Sequence, residues 1–232
     1  MKIEIYSDIA CPWCYIGEHR LARALAAYPK AGEVEVVFRS YQLDPTAPPE
    51  PRPLRQYLEQ RFGPAATEMT ARVSDVARGE GLELDWDRAL SVNTLTAHRL
   101  LHLAEQEYGP ATQRELARKL FEAHFSQGGD VSDHDLLTEL AASVGMDAAR
   151  VRAYLDSGEG LDETRYEIHQ AQRLGIRSVP TFVIEGKYAI QGAQPASVFL
   201  RALEQVAARL EEERAQESAA DDVACADGSC AL

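Results

Sequence analysis

Asp8-Ile9-Ala10-Cys11-Pro12-Trp13-Cys14-Tyr15 decides how this chain is read. The residues before it, Ile3-Glu4-Ile5-Tyr6, alternate like a strand, and those after it carry helical periodicity from Pro12 to about Tyr28. A Cys-x-x-Cys pair therefore stands where a strand hands over to a helix. Pro12 falls at the first helical position, where its missing N–H costs nothing. Cys11 is then expected at the helix N-terminus, among unpaired N–H groups and the positive end of the dipole, a setting that stabilises thiolate over thiol. The thiolate is the nucleophilic form. Cys14 follows one turn later, within reach for a small disulfide with Cys11.

A Cys-x-x-Cys pair is also half of many zinc sites, but zinc usually takes a second pair at ligand spacing. The other two cysteines, Cys225 and Cys230, lie in a polar tail. Next to a βα pattern the first pair reads as redox-active, with no metal and no cofactor expected. Four cysteines in 232 residues are too few for a disulfide framework, so they read as working thiols.

Composition narrows the partners. The net charge is −13, which argues against nucleic acid or an anionic membrane surface, since both need a basic face. No apolar run approaches the length of a membrane span. The first strand begins within two residues of Met1, leaving no room for a leader, so a cytoplasmic protein is expected. Apolar residues make up 45%, enough for a sizeable core.

Downstream of the first helix, Val34-Glu35-Val36-Val37-Phe38-Arg39 reads as a second strand, and strand, helix and strand form a βαβ unit with parallel strands. Five prolines between Pro45 and Pro53 mark an extended connection. Residues 54–174 then read as helices without a strand, over about 54–62, 64–79, 87–108, 110–127, 132–144, 147–156 and 160–174. Asp87, Asp133 and Asp147 are the expected N-caps. Strand texture returns over Ser178–Ile184, and a turn at Glu185-Gly186-Lys187 leads into Tyr188–Gln191, a hairpin. A last amphipathic helix runs from Pro195 to about Glu213, and the polar remainder is expected to be disordered. The division is 1–45 and 175–214 as two halves of one α/β domain, 46–174 as an all-helical insertion, and 215–232 as a flexible tail.

This order of elements, with Cys-x-x-Cys opening the first helix, resembles the thioredoxin plan. Val179-Pro180-Thr181 resembles its cis-proline loop, which the resemblance places opposite the thiols. The helical insertion is similar to that of the DsbA family, and within it to the FrnE-like branch, which also resembles kappa-class glutathione transferases and 2-hydroxychromene-2-carboxylate isomerases. The stretches that carry this are Tyr6–Gly17, Tyr41-Gln42-Leu43, Asn93-Thr94 through Ala97–Leu100, Gly175–Phe182 and Gln191–Gln194, spanning residues 1 to about 210.

The resemblance implies thiol–disulfide exchange, with Cys11 attacking and Cys14 resolving. Clients would be disulfide or dithiol proteins, and glutathione or a thioredoxin-type protein would supply electrons. Trp13 carries no positive charge to hold the Cys11 thiolate, so a milder oxidant than a His neighbour would make is expected. Val179 offers backbone N–H and C=O groups for an extended client strand. The resemblance places Asn93 facing the cleft. His98 reads as an ordinary core or surface histidine, and Gln191–Gln194 as the turn into the last helix or a holder for a small thiol. Cys225 and Cys230 read as a second redox pair on a tethered arm, as two exposed thiols with no role, or as a zinc site, alone or with the first pair. Two other functions compete with this one. The first is a glutathione-dependent isomerase or transferase, a branch expected to carry Ser at position 11. The second is a chaperone-like binding module using the helical block.

Overall fold

A computed structural model describes residues 1–48 and 50–226, with side chains described as far as Gln216. Four strands, β1 (Lys2–Ser7), β2 (Glu35–Ser40), β3 (Thr181–Ile184) and β4 (Tyr188–Gln191), form one sheet in the order β2-β1-β3-β4. β1 pairs parallel with β2, as the βαβ reading requires, and antiparallel with β3. The alternation in β1 buries Ile3 and Ile5 at the middle of the sheet. Helix α1 (Pro12–Ala27) crosses between β1 and β2 and packs on the final helix. The three-residue hairpin loop, Glu185-Gly186-Lys187, turns through two left-handed residues, Glu185 (φ 54°) and Gly186 (φ 64°). The strand expected from Ser178 starts at Thr181, because Pro180 has no N–H for the ladder.

Residues 54–173 supply α2 (Leu54–Phe62), α3 (Ala65–Gly79), α4 (Leu95–Leu103), α5 (Pro110–Glu122), α6 (His134–Ser143), α7 (Ala148–Leu155) and α8 (Leu161–Arg173). α4 and α5 each continue through a π-turn, Ala104–Tyr108 and Ala123–Gln127. The fold is thioredoxin-like with a helical insertion. The insertion also closes the sheet. On the free edge of β2, the buried Gln113 of α5 accepts from Phe38 N (2.8 Å) and donates to Phe38 O (3.0 Å). Glu167 of α8 accepts from Ser40 N at 2.9 Å. These side chains satisfy an edge that would otherwise invite another strand.

Three expectations are corrected. The helix read over 87–108 starts only at Leu95, and Asp87 is not its cap. The Asp85 carboxylate instead accepts from Asp87 N and Arg88 N and turns the chain, as short acidic side chains do in loops. The helical block is also not free of strand: Arg52–Pro53 pairs antiparallel with Leu90–Ser91. The last helix, α9 (Ala196–Ala226), runs past Glu213 because Ala, Glu, Arg and Gln, all strong helix formers, fill the residues that follow. Asp133 and Asp147 do cap their helices, accepting from Asp135 N and Arg150 N.

Candidate active site

Cys11 is the N-cap of α1, extended at φ −100° and ψ 110°, with Pro12 in the first turn. Its carbonyl accepts from Cys14 N at 2.9 Å, so the two cysteines share the first turn. Both are free thiols. Cys11 is 4% exposed and lines an open cleft, while Cys14 is sealed behind it at 1%. Burial pushes the Cys14 thiol well above its ordinary value, and the neighbouring Cys11 pushes it further; Ser7 and the Asp8 backbone act in the opposite sense.

The second half of the sheet brings Val179 and Pro180 to this helix tip. The Val179–Pro180 peptide is cis, and the Cys11 sulfur sits 3.8 Å from the Val179 carbonyl oxygen that accepts from it. The approach is close because Gly17, one turn past Cys14, has no side chain there. A Cβ on Gly17 would meet Pro180 Cγ at 3.0 Å and Phe182 Cζ at 3.2 Å.

Asp8 holds the β1–α1 loop, a role its place in the quoted stretch does not reveal. Its carboxylate accepts from Ala10 N (3.2 Å) and Leu43 N (2.7 Å) and meets His98 Nε2 at 3.3 Å, tying two loops and α4 together. Burial alone would raise its pKa. The His98 hydrogen bond and charge, with donors from Leu43 and Thr94, outweigh that and hold it below the usual carboxylate range. His98 is thus a core histidine with a structural partner, 1% exposed.

Asn93 stands between two cleft-lining residues and braces the loops behind them. Its Oδ1 accepts from Gln42 Nε2 and Leu95 N, and its Nδ2 donates to Ala47 O, all at 3.0 Å. Its neighbours Val92 and Thr94 form the cleft wall. Gln191 donates to Ser178 Oγ and Gln194 to the Gln191 carbonyl, so both amides serve the turn into α9. Cys230 and the Cys225 side chain lie outside the described residues.

The cleft, of about 310 Å³, runs from Cys11 and the half-buried Trp13 across to α2 and α3. His124, on the π-turn after α5, lines it and carries no signal in the local sequence beyond a lone histidine on an apolar face. Among the described residues no cluster of His, Cys, Asp or Glu has the makings of a metal site, and no helix is long and apolar enough to cross a membrane.

A family profile described as a DSBA-like thioredoxin domain matches residues 2–204. The chain belongs to this family. It is thereby a thiol–disulfide oxidoreductase, and the family acts on disulfide substrates. A probable DsbA oxidoreductase from Streptomyces coelicolor is 38% identical, with 88% of this chain and 89% of that one aligned at a TM-score of 0.80. An uncharacterized protein from Bacillus subtilis (strain 168), YwbO, is 29% identical over 210 residues, 88% of this chain and 96% of that protein. The cytosolic disulfide reductase DsbM from Pseudomonas aeruginosa, solved with GSH, shares the fold at 20% identity and a TM-score of 0.62, covering 88% and 98% of the two chains.

Proposed function

We propose that this FrnE-like member of the DsbA family exchanges disulfides through Cys11 and Cys14. The observation that carries this reading is the asymmetry of the pair. Cys11 lies at a helix tip, open to the cleft and beside the Val179 carbonyl, and Cys14 is sealed one turn behind. In the reducing direction the Cys11 thiolate attacks one sulfur of a client disulfide. That S–S bond breaks, the departing sulfur takes a proton, and Cys11 is left in a mixed disulfide. Cys14 then loses its proton and attacks the Cys11 sulfur, which closes the Cys11–Cys14 disulfide and releases the second client thiol. The same steps reversed oxidise a client dithiol. Val179, on the Pro180 loop, offers its backbone to an extended client beside the reacting sulfur. A thioredoxin-type protein or glutathione would return the pair to the dithiol. Cysteine at position 11, where the isomerase branch is expected to carry serine, favours this reading over an isomerase.

A cytoplasmic setting is part of the proposal and rests on cysteine usage, four in 232 residues. The tail pair, Cys225 and Cys230, enters from sequence spacing alone, as an arm that relays electrons to the first pair. Removing residues 215–232 should slow recovery of the dithiol and leave attack on the client unchanged; equal kinetics in both halves would remove the arm from the scheme.

The test of the main reading is trapping. Cys14→Ser should accumulate mixed disulfides through Cys11 with a disulfide client, seen by mass spectrometry, and Cys11→Ser should give none. Failure of Cys14→Ser to trap any client would end the assignment.

A further inference from the structure

The cleft beside Cys11 is built for something other than a charged peptide thiol. Its interior is apolar, formed by Leu54, Val73, Trp86 and Leu90 among others, and its volume falls at the lower end of the range of small-molecule sites. The apolar surface continues onto the rim. Leu43, Phe62 and Met69 line the cleft and are 47%, 42% and 44% exposed, three of the five large hydrophobics exposed among the described residues.

Its charges point the same way. Arg61 is the one cationic side chain lining the cleft among the described residues, and it is engaged by the Asp44 carboxylate at 3.2 Å and the Tyr57 hydroxyl at 2.5 Å. Asp8 contributes a buried carboxylate to the wall. A ligand bringing carboxylates of its own, such as glutathione, would meet a single cation already shared with Asp44, at the rim, and the Asp8 anion in the wall.

Among the described residues that line the cleft, one fully buried side-chain nitrogen has no partner. His124 is 1% exposed, its Nδ1 is buried without a partner, and neither ring nitrogen makes a hydrogen bond among the described residues. A buried polar atom left unpaired costs free energy that a ligand group can recover. Burial lowers the imidazole pKa to about 4, so the ring is neutral at physiological pH and offers one donor and one acceptor rather than a charge.

We propose that this cleft binds the apolar half of a small, uncharged disulfide or thiol, an aromatic or aliphatic body with a single polar atom for His124, and presents its sulfur to Cys11. The inference deepens the oxidoreductase reading and rests on it. The exchange step is the one written above, with the small thiol as the group first joined to Cys11 and then released.

The test uses two mixed disulfides that share a 2-mercaptoethanol half, so that the reacting sulfurs are comparable. One carries 4-hydroxybenzyl thiol, whose hydroxyl can donate or accept, and the other glutathione. Reduced full-length protein is mixed with each, quenched in acid and read by mass spectrometry on the Cys11 peptide. The 4-hydroxybenzyl compound should oxidise the pair about tenfold faster or more. In Ala66→Phe, which fills the cleft from α3, and in His124→Phe, the ratio of the two rates should fall toward one. Unfolded thiols would react with both compounds alike, so each variant is first required to match the wild type in its circular dichroism spectrum and in its rate with bis(2-hydroxyethyl) disulfide, a small control that does not need the cleft. Equal rates in the wild type, a preference for glutathione, or a preference that survives both substitutions would overturn the inference. With bis(2-hydroxyethyl) disulfide as a third, control compound, oxidation of the pair by the control without any advantage for the 4-hydroxybenzyl compound means that the cleft inference alone fails; if no disulfide oxidises the pair, the oxidoreductase reading beneath it fails.

Discussion

Pro180 rests against Gly17, across 163 positions of sequence, at a distance that leaves no room for a methyl group. The same loop sets the Val179 carbonyl 3.8 Å from the Cys11 sulfur, and the exchange proposed at Cys11 would depend on that placement.

Gly17→Ala therefore separates activity from stability. Alanine gains roughly 1 kcal/mol over glycine in a helix, which offsets much of the cost of the crowding. The loop has to retreat by a few tenths of an ångström all the same. The rate of mixed-disulfide formation at Cys11 should drop about three- to tenfold, while urea unfolding shifts by less than ~1 kcal/mol. An unchanged rate would mean that the loop is not a positioning element.

The two thiols should respond differently to pH. Burial holds Cys14 as the thiol well above its ordinary range, so its thiolate is scarce near neutrality and grows about tenfold per pH unit. The step that closes Cys11–Cys14 from a preformed Cys11 mixed disulfide should accelerate with that slope between pH 6 and 8. Rapid quench followed by mass spectrometry measures it, and a flat profile would count against Cys14 as the unaided resolving thiol.

Asp8→Asn should cost about 2–4 kcal/mol at pH 7, since an amide cannot replace a buried carboxylate that accepts from two backbone N–H groups and faces His98. The folded pKa of Asp8 lies below its unfolded value of about 3.9. Its stabilisation is therefore complete above that value and is lost as pH falls through the folded one. Chemical denaturation should show the gap between the wild type and the variant narrowing as pH falls below about 3.9.

His124 acts in a higher window with the same sign. Folded, it titrates near 4, and unfolded near 6.5, so between those values the unfolded chain binds the extra proton. Lowering pH from 7 to 4 should cost the wild type up to about 3 kcal/mol through this residue. His124→Phe should keep that stability, which thermal melts across the pH range would reveal. An identical pH slope in the two proteins would show that His124 titrates in an open environment.

Local signals were strong wherever one short stretch carried the whole physical cause. Pro12 after Cys11 marked a helix start, Asp133 and Asp147 marked two more, and Ile3/Ile5 marked the inner strand. They failed where two stretches compete for one chain. Asp85 takes the N–H groups that a helix from Asp87 would have needed, and Leu90–Ser91 becomes a strand only because Arg52–Pro53 lies beside it.

What the sequence determined by itself is the Cys11–Cys14 spacing and its strand-to-helix setting, because helix capping and proline geometry act within a few residues. The neighbours of that pair were decided only by tertiary structure. His98 became the partner of Asp8, Asn93 a loop brace, and His124 an unpaired group in an apolar wall through contacts that join residues tens of positions apart. Hydrogen-bond partners and burial are properties of packed elements, and no local pattern encodes which distant element will arrive.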